Sequence, residues 1–198
     1  RLSDKNFTVK VTGEIESPTV PPFVAADQTV GVAVLENKVG GQIKAETKAL
    51  FRDAASGILN SGSLPPRVGQ PTNFTIHWLI SSLAVDVKDI EVRAFLGGNV
   101  RFTGVVKSNI TSQPVYNDRT QEIVWNIDRI TTNKGVLDKP VEAIFQVEAV
   151  PAVDQVGQFM TLIKETFVKA TDEFTGLNVS AVSPEVTTEL RNDPTVTP

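Results

Sequence analysis

The chain has no cysteine, one histidine, one methionine and one tyrosine in 198 residues. With no cysteine it can hold no disulfide, thiolate metal site or cysteine nucleophile. Any histidine-based metal cluster or Ser-His-Asp triad would have to be built around His77. Apolar runs are only a few residues long, too short to cross a bilayer or to form a signal-peptide core, so no direct membrane insertion of this segment is expected. The net charge of -4 comes from scattered charges and gives no basic patch for a phosphate backbone, so nucleic acid is not expected as a partner.

Alternation of apolar and polar residues with a period of two dominates what is there. Phe74, Ile76, Trp78 and Ile80 alternate with Asn73, Thr75 and His77. Ile90, Val92, Ala94 and Leu96 alternate with Asp89, Glu91 and Arg93; Ile123, Trp125 and Ile127 form a third set, and Val141, Ala143, Phe145, Val147 and Ala149 a fourth. That spacing puts one side of each extended segment into a core, and strands in succession without an intervening helix predict an all-β sandwich. Turn signals separate them at Gly97-Gly98-Asn99, Tyr116 to Arg119, Asn133-Lys134-Gly135 and Pro151. Residues 156 to 173 also fit helical spacing through Met160, Ile163, Phe167, Ala170 and Phe174. The β-branched Thr161, Thr166, Val168 and Thr171, followed by a Thr175-Gly176 turn, favour strand.

A weak internal repeat sets the boundaries. Asn6 to Glu14 followed by Thr29 to Val34 mirrors Phe159 to Lys169 followed by Leu177 to Val182, and each pair reads as the last hairpin of a domain. Residues 1–40 are then expected to be the C-terminal hairpin of a preceding module, with Pro18 to Pro22 as a long turn inside it. Residues 41–190 form a complete sandwich and 191–198 an exit linker. A start at Arg1, within a strand, suggests a piece of something longer, and such a partial first module could also be completed by another chain.

Candidate chemistry is sparse. His77 falls on the polar side of its strand and is expected to be exposed or half-exposed. Asp89, Glu91, Glu142 and Glu148 are expected on solvated faces. Calcium at the module ends is the one cofactor considered, with Asp53, Asp172 and Glu173, and beside them Asp4 and Asp193, as carboxylate candidates in end regions; no complete calcium-loop spacing is present. Asn99, Tyr116 and Asp118 are the loop candidates for ligand binding, Tyr116 being the one free aromatic, since Trp78 and Trp125 point inward. Lys164 shares strand parity with inward residues and is the candidate for an intramolecular Lys-Asn or Lys-Asp bond. Asn6, Asn73, Asn109 and Asn178 match the N-glycosylation pattern.

The run from Gly57 to Trp78, with Pro65-Pro66-Arg67-Val68-Gly69 leading into the second strand, resembles the immunoglobulin-like repeats of large bacterial exported surface proteins. Glu122 to Ile127, Phe145 to Glu148, Gln155 to Gln158 and Thr171 to Gly176 are similar to their later strands and closing hairpin, so the likeness covers roughly residues 41 to 190. The resemblance implies tandem immunoglobulin-like sandwich modules, an extracellular or cell-surface location and no catalytic residues. It also implies a structural or spacer role, with neighbouring modules or copies of the chain itself as partners. The readings beside it are an adhesin module binding a glycan or protein through its loops, and an accessory domain of a secreted enzyme.

Overall fold

The computed structural model describes residues 4–20, 22–23, 25, 29–132, 134–191 and 193–196. Parts of three expected features fall outside these residues: Pro21 of the first hairpin's turn, Asn133 of a predicted turn, and Asn192, Thr197 and Pro198 of the exit linker.

Two strands open the chain, β1 (Thr8–Ser17) and β2 (Thr29–Lys38), paired antiparallel with Thr8 opposite Lys38. The sandwich follows, in the order β3 (Gln42–Leu50), β4 (Thr72–Leu83), β5 (Val87–Phe95), β6 (Val100–Ser108), β7 (Val115–Asn117), β8 (Glu122–Ile130) and β9 (Val141–Ala149). A 3-10 turn at Val153–Gln155 precedes β10 (Thr161–Ile163), β11 (Thr166–Asp172), β12 (Asn178–Ser183) and β13 (Val186–Thr187). The ambiguous 156 to 173 stretch is therefore extended, as β-branching favours.

One sheet has the order β3-β4-β9-β6 and the other β12-β11-β5-β8-β7, every pair antiparallel. β3, β4, β9 and β6 reproduce one sheet of an immunoglobulin-like sandwich, and β5, β11 and β12 the facing one. β8 and β7 extend that second sheet beyond β5. Alternation along each strand explains the core: Phe74, Ile76, Trp78 and Ile80 of β4 face Val92, Ala94, Trp125 and Ile127 of the opposite sheet, all buried. The Trp78 ring meets Phe145 edge-on at 5.0 Å, and its Nε1–H donates to Thr166 Oγ1 at 3.1 Å, so the largest side chain ties both sheets together.

The core draws on residues from Ile43 onward, and no described residue of the β1–β2 hairpin belongs to it. The hairpin presents Val9, Val11, Ile15 and Leu35 on one face, all exposed, with Ile15 at 76 %. A lone two-stranded ribbon with such a face is marginal in water and gains stability from a further surface.

Candidate functional site

Three places gather side chains beyond the core: the outer face of the four-stranded sheet, the sandwich end that carries the hairpin, and the opposite end.

On the outer face of β4 the expected alternation of burial breaks, because Thr75 and His77 are buried although they point away from the core. The cause is the 51–71 connection, which crosses that face. Asn60 Nδ2 donates to the Leu50 and Phe51 carbonyls and to Thr75 Oγ1, Gln146 Nε2 donates to the Leu59 carbonyl and to Asn60 Oδ1, and Lys107 Nζ donates to the Ser56 carbonyl. His77, at 8 % exposure, is thereby removed from solvent, which corrects the expectation of an exposed ring. Its Nε2 lies 2.8 Å from Asp53 Oδ2 and its Nδ1 2.8 Å from Glu142 Oε1. Glu142, expected on a solvated face, is instead the second partner of the ring. Both ring nitrogens are committed, so the cluster holds the crossing loop on the sheet and leaves no nitrogen as a free base. Burial opposes ionisation of Asp53, but hydrogen bonds from Ser56 and His77 and the charge of His77 outweigh it and hold the carboxyl below the ordinary 3.8. Strand parity could have placed His77 on the outer face, but no sequence signal announced that a loop would cover it.

At the hairpin end, Asp86 collects donors from three segments. Its Oδ1 accepts the Thr132 amide at 2.8 Å, and its Oδ2 accepts Lys5 Nζ at 3.2 Å and Arg129 Nη2 at 2.8 Å. Arg129 in turn pairs with Glu173 through two hydrogen bonds of 2.9 Å. Asp172 is fully buried and accepts the amides of Gly41 at 3.0 Å, Phe174 at 2.7 Å and Thr175 at 3.1 Å. Burial raises both aspartates, and these donors more than offset it, so both carboxyls sit below 3.8. The hairpin base is fastened here: the Asn6 amide donates to the Ala84 carbonyl at 3.0 Å, and Lys38 Nζ donates to the Phe174 carbonyl at 2.9 Å while lying 4.7 Å from the Phe174 ring centre. Gly41, just before β3, leaves no room for a side chain, because a Cβ would run into Val85 and the Leu83 carbonyl.

The structure does not bring the calcium candidates together. Asp53 follows the end of β3 while Asp172 and Glu173 lie beside its start, about 30 Å away along a nine-residue strand. Asp53 is engaged by His77, Asp172 by three amides, Glu173 by Arg129, and Asp193 by the Phe51 and Arg52 amides and by Thr195. Asp4 lies exposed ahead of β1. Among the described residues no group of three or more acidic, histidine or cysteine side chains is arranged to hold a metal ion.

The opposite end carries the ligand candidates. Asn99 is exposed in the β5–β6 turn, where its Nδ2 donates to Gln155 Oε1 at 3.3 Å, and Asp118 is exposed in the β7–β8 turn. Tyr116 is not free, since it is half-buried with its ring 5.2 Å from that of Phe102. Lys164 is exposed between β10 and β11 and no lysine is buried among the described residues, so the structure corrects the inward placement that an intramolecular bond would need. A cleft of about 1250 Å³ opens beside this end, walled by Leu64, Pro65, Val68, Val156, Phe159 and Leu190.

No family model and no curated protein matches the chain. Solved structures do, at low identity. The major pilin subunit BcpA (D312A form) of Bacillus cereus is similar at 13 % identity and a TM-score of 0.45, over 89 % of this chain and 55 % of that one. The full-length major pilin SpaD of Corynebacterium diphtheriae is similar at 14 % identity and a TM-score of 0.41, over 72 % and 35 %. The C-terminal domain of the Streptococcus agalactiae AgI/II polypeptide BspA is similar at 9 % identity and a TM-score of 0.38, over 80 % and 54 %. The chain thus spans about half or less of the length of each. Among the described residues, no helix is long and apolar enough to cross a membrane.

Proposed function

We propose that this chain is a non-catalytic structural module of an exported cell-surface or filament protein, a stiff spacer between neighbouring modules. The observation that carries the reading is the junction. A hairpin that contributes nothing to the sandwich core is nonetheless fastened to the sandwich base by the Lys5–Asp86 pair, the Asn6 amide on Ala84, and Lys38 on Phe174. Separate elements joined by several directional contacts, two of them charge-assisted, keep a fixed relative orientation, which is what a spacer requires.

In this reading residues 1–40 close a preceding module. Its apolar face, with Val9, Val11 and Leu35, is the inner face of that module's sandwich, and its partners are the remaining strands there. Surface location rests on the resemblance of residues 41 to 190 to repeats of exported proteins. No cofactor enters the mechanism.

The adhesin reading is favoured by one feature, the cleft beside the Asn99 turn. Binding of the purified chain to a glycan array and to a panel of extracellular-matrix proteins separates the two. A spacer gives no saturable binding. Saturable binding that is lost on N99A or D118A overturns the spacer reading in favour of an adhesin.

A further inference from the structure

The two hairpins correspond residue by residue once the strand register is known. The match runs at a constant offset of 159 positions (164 minus 5): Lys5 with Lys164, Val9 with Val168, Lys10 with Lys169, Thr12 with Thr171 and Glu14 with Glu173. The repeat expected from sequence alone matched the two segments only as wholes, Asn6 to Glu14 with Phe159 to Lys169. Strand phase agrees with the new register. Val168 and Ala170 of β11 face the core, while Val9 and Val11, their counterparts in β1, lie on the exposed apolar face. In the second strands, Val9 stands opposite Asn37 and Val168 opposite Ala181, so Lys38 corresponds to Val182.

The correspondence assigns roles to residues that otherwise have none. Lys5 and Lys38 are the two side chains that fasten the first hairpin to the sandwich base. Their counterparts Lys164 and Val182 sit at the opposite end of the sandwich, both exposed, and the Lys164 ammonium has no hydrogen-bond or ion-pair partner among the described residues. Phe95 and Phe167 are exposed on the outer face of the five-stranded sheet, at 41 % and 40 %, with Val182 directly opposite Phe167. Lys164 is anchored through its own amide, which donates to the Phe95 carbonyl at 2.9 Å, so its position relative to this patch is set by the backbone.

We infer that Lys164, Phe95, Phe167 and Val182 form the docking surface for the base of a following module of the same kind. That base presents the groups corresponding to Ala84, Asp86 and Phe174 here. The inference rests on the spacer reading and extends it: the junction seen at one end of the sandwich is repeated at the other. Docking is head-to-tail, with the acidic base of one module on the lysine and aromatic patch of the module before it.

The fragment 39–198 tests this. It keeps every core residue and the Asp172–Gly41 bond, and it lacks the hairpin that covers Asp86 and Phe174. In a chain of modules this contact is intramolecular, at an effective concentration of about 1 mM, so the trans measurement must reach that range. Amide chemical shifts of the labelled fragment, followed up to about 1 mM, are expected to move at Lys164, Phe167 and Val182 together with residues 84–86 and 173–174. K164E is expected to weaken that association at least about fivefold, while K169E, on β11 outside the patch, leaves it unchanged. The intact chain, its base already covered, is expected to show no such shifts. Absence of concentration-dependent shifts in the fragment, shifts at only one of the two surfaces, or indifference to K164E overturns the inference. If the hairpin holds a fixed orientation in the intact chain while the fragment does not associate, the spacer reading stands and this docking surface alone falls.

Discussion

Asp172 accepts the amide of Gly41 at 3.0 Å, joining two residues 131 positions apart, one just before β3 and one at the end of β11. The same carboxylate caps the β11–β12 turn through Phe174 and Thr175, so one buried charge fixes both the turn and the entry of the chain from the hairpin. Asp172→Ala leaves three amides without their ionised acceptor, and the expected loss is about 3 kcal/mol. Urea denaturation is the check: the midpoint falls with the slope unchanged. Asp172→Asn, which keeps an oxygen acceptor, falls between the two.

His77→Ala leaves Asp53, whose side chain is only 2 % exposed, with the Ser56 amide but without its ring partner, whereas Glu142 at 32 % can be solvated again. A stranded buried carboxylate costs about 3 kcal/mol. The double variant with Asp53→Ala is expected to cost less than the sum of the single ones, because it removes the unpaired charge. Hydrogen exchange in residues 51–71 accelerates in the single variant, since the connection loses its anchor to β4.

Gly41→Ala forces a methyl group against Val85 and the Leu83 carbonyl. Overpacking at this site is expected to destabilise by about 2 kcal/mol. Since the neighbouring Val39 amide bonds the Phe7 carbonyl inside the hairpin, the strain also reaches the junction. Thermal unfolding reads the first effect, and loss of protection at the Asn6 amide reads the second.

Acid stability follows from four aspartates, Asp53, Asp86, Asp172 and Asp193, all held below the ordinary 3.8 despite burial, by hydrogen bonds to each and by nearby charges for Asp53 and Asp86. A carboxyl with a lowered folded pKa contributes stability that is present above the unfolded value and is lost as pH falls through the folded one. The free energy of unfolding contributed by these groups therefore holds above about pH 4 and drops below it. Asp172→Asn is expected to flatten part of that drop, measured as urea stability between pH 5 and pH 2.

The period-two pattern was sufficient to locate β4, β5, β8 and β9 and the inward tryptophans, because burial on one face is written directly into residue order. The Thr175-Gly176 turn was legible for the same local reason. The coverage of His77 was not, since it depends on a 21-residue connection folding over a face that strand parity leaves polar. Glu142 and Asp53 are distant in sequence from His77 and carry no shared motif. Tyr116 reads as a loop residue, and only the neighbouring β6 shows that Phe102 meets its ring. The hairpin correspondence was partly legible: the repeat was visible, but its register needed the strand pairing to fix which lysine matches which.

The central claim, a hairpin held rigidly on the sandwich base, is tested most directly by a distance measurement. The chain has no cysteine, so T12C on β1 and N126C on β8, both exposed, provide a unique pair of spin-label sites. Pulsed electron–electron resonance on that double variant is expected to give a single narrow distance distribution that broadens when Lys5→Ala and Lys38→Ala are added. A broad distribution in the unaltered junction, indifferent to those two substitutions, would contradict the account.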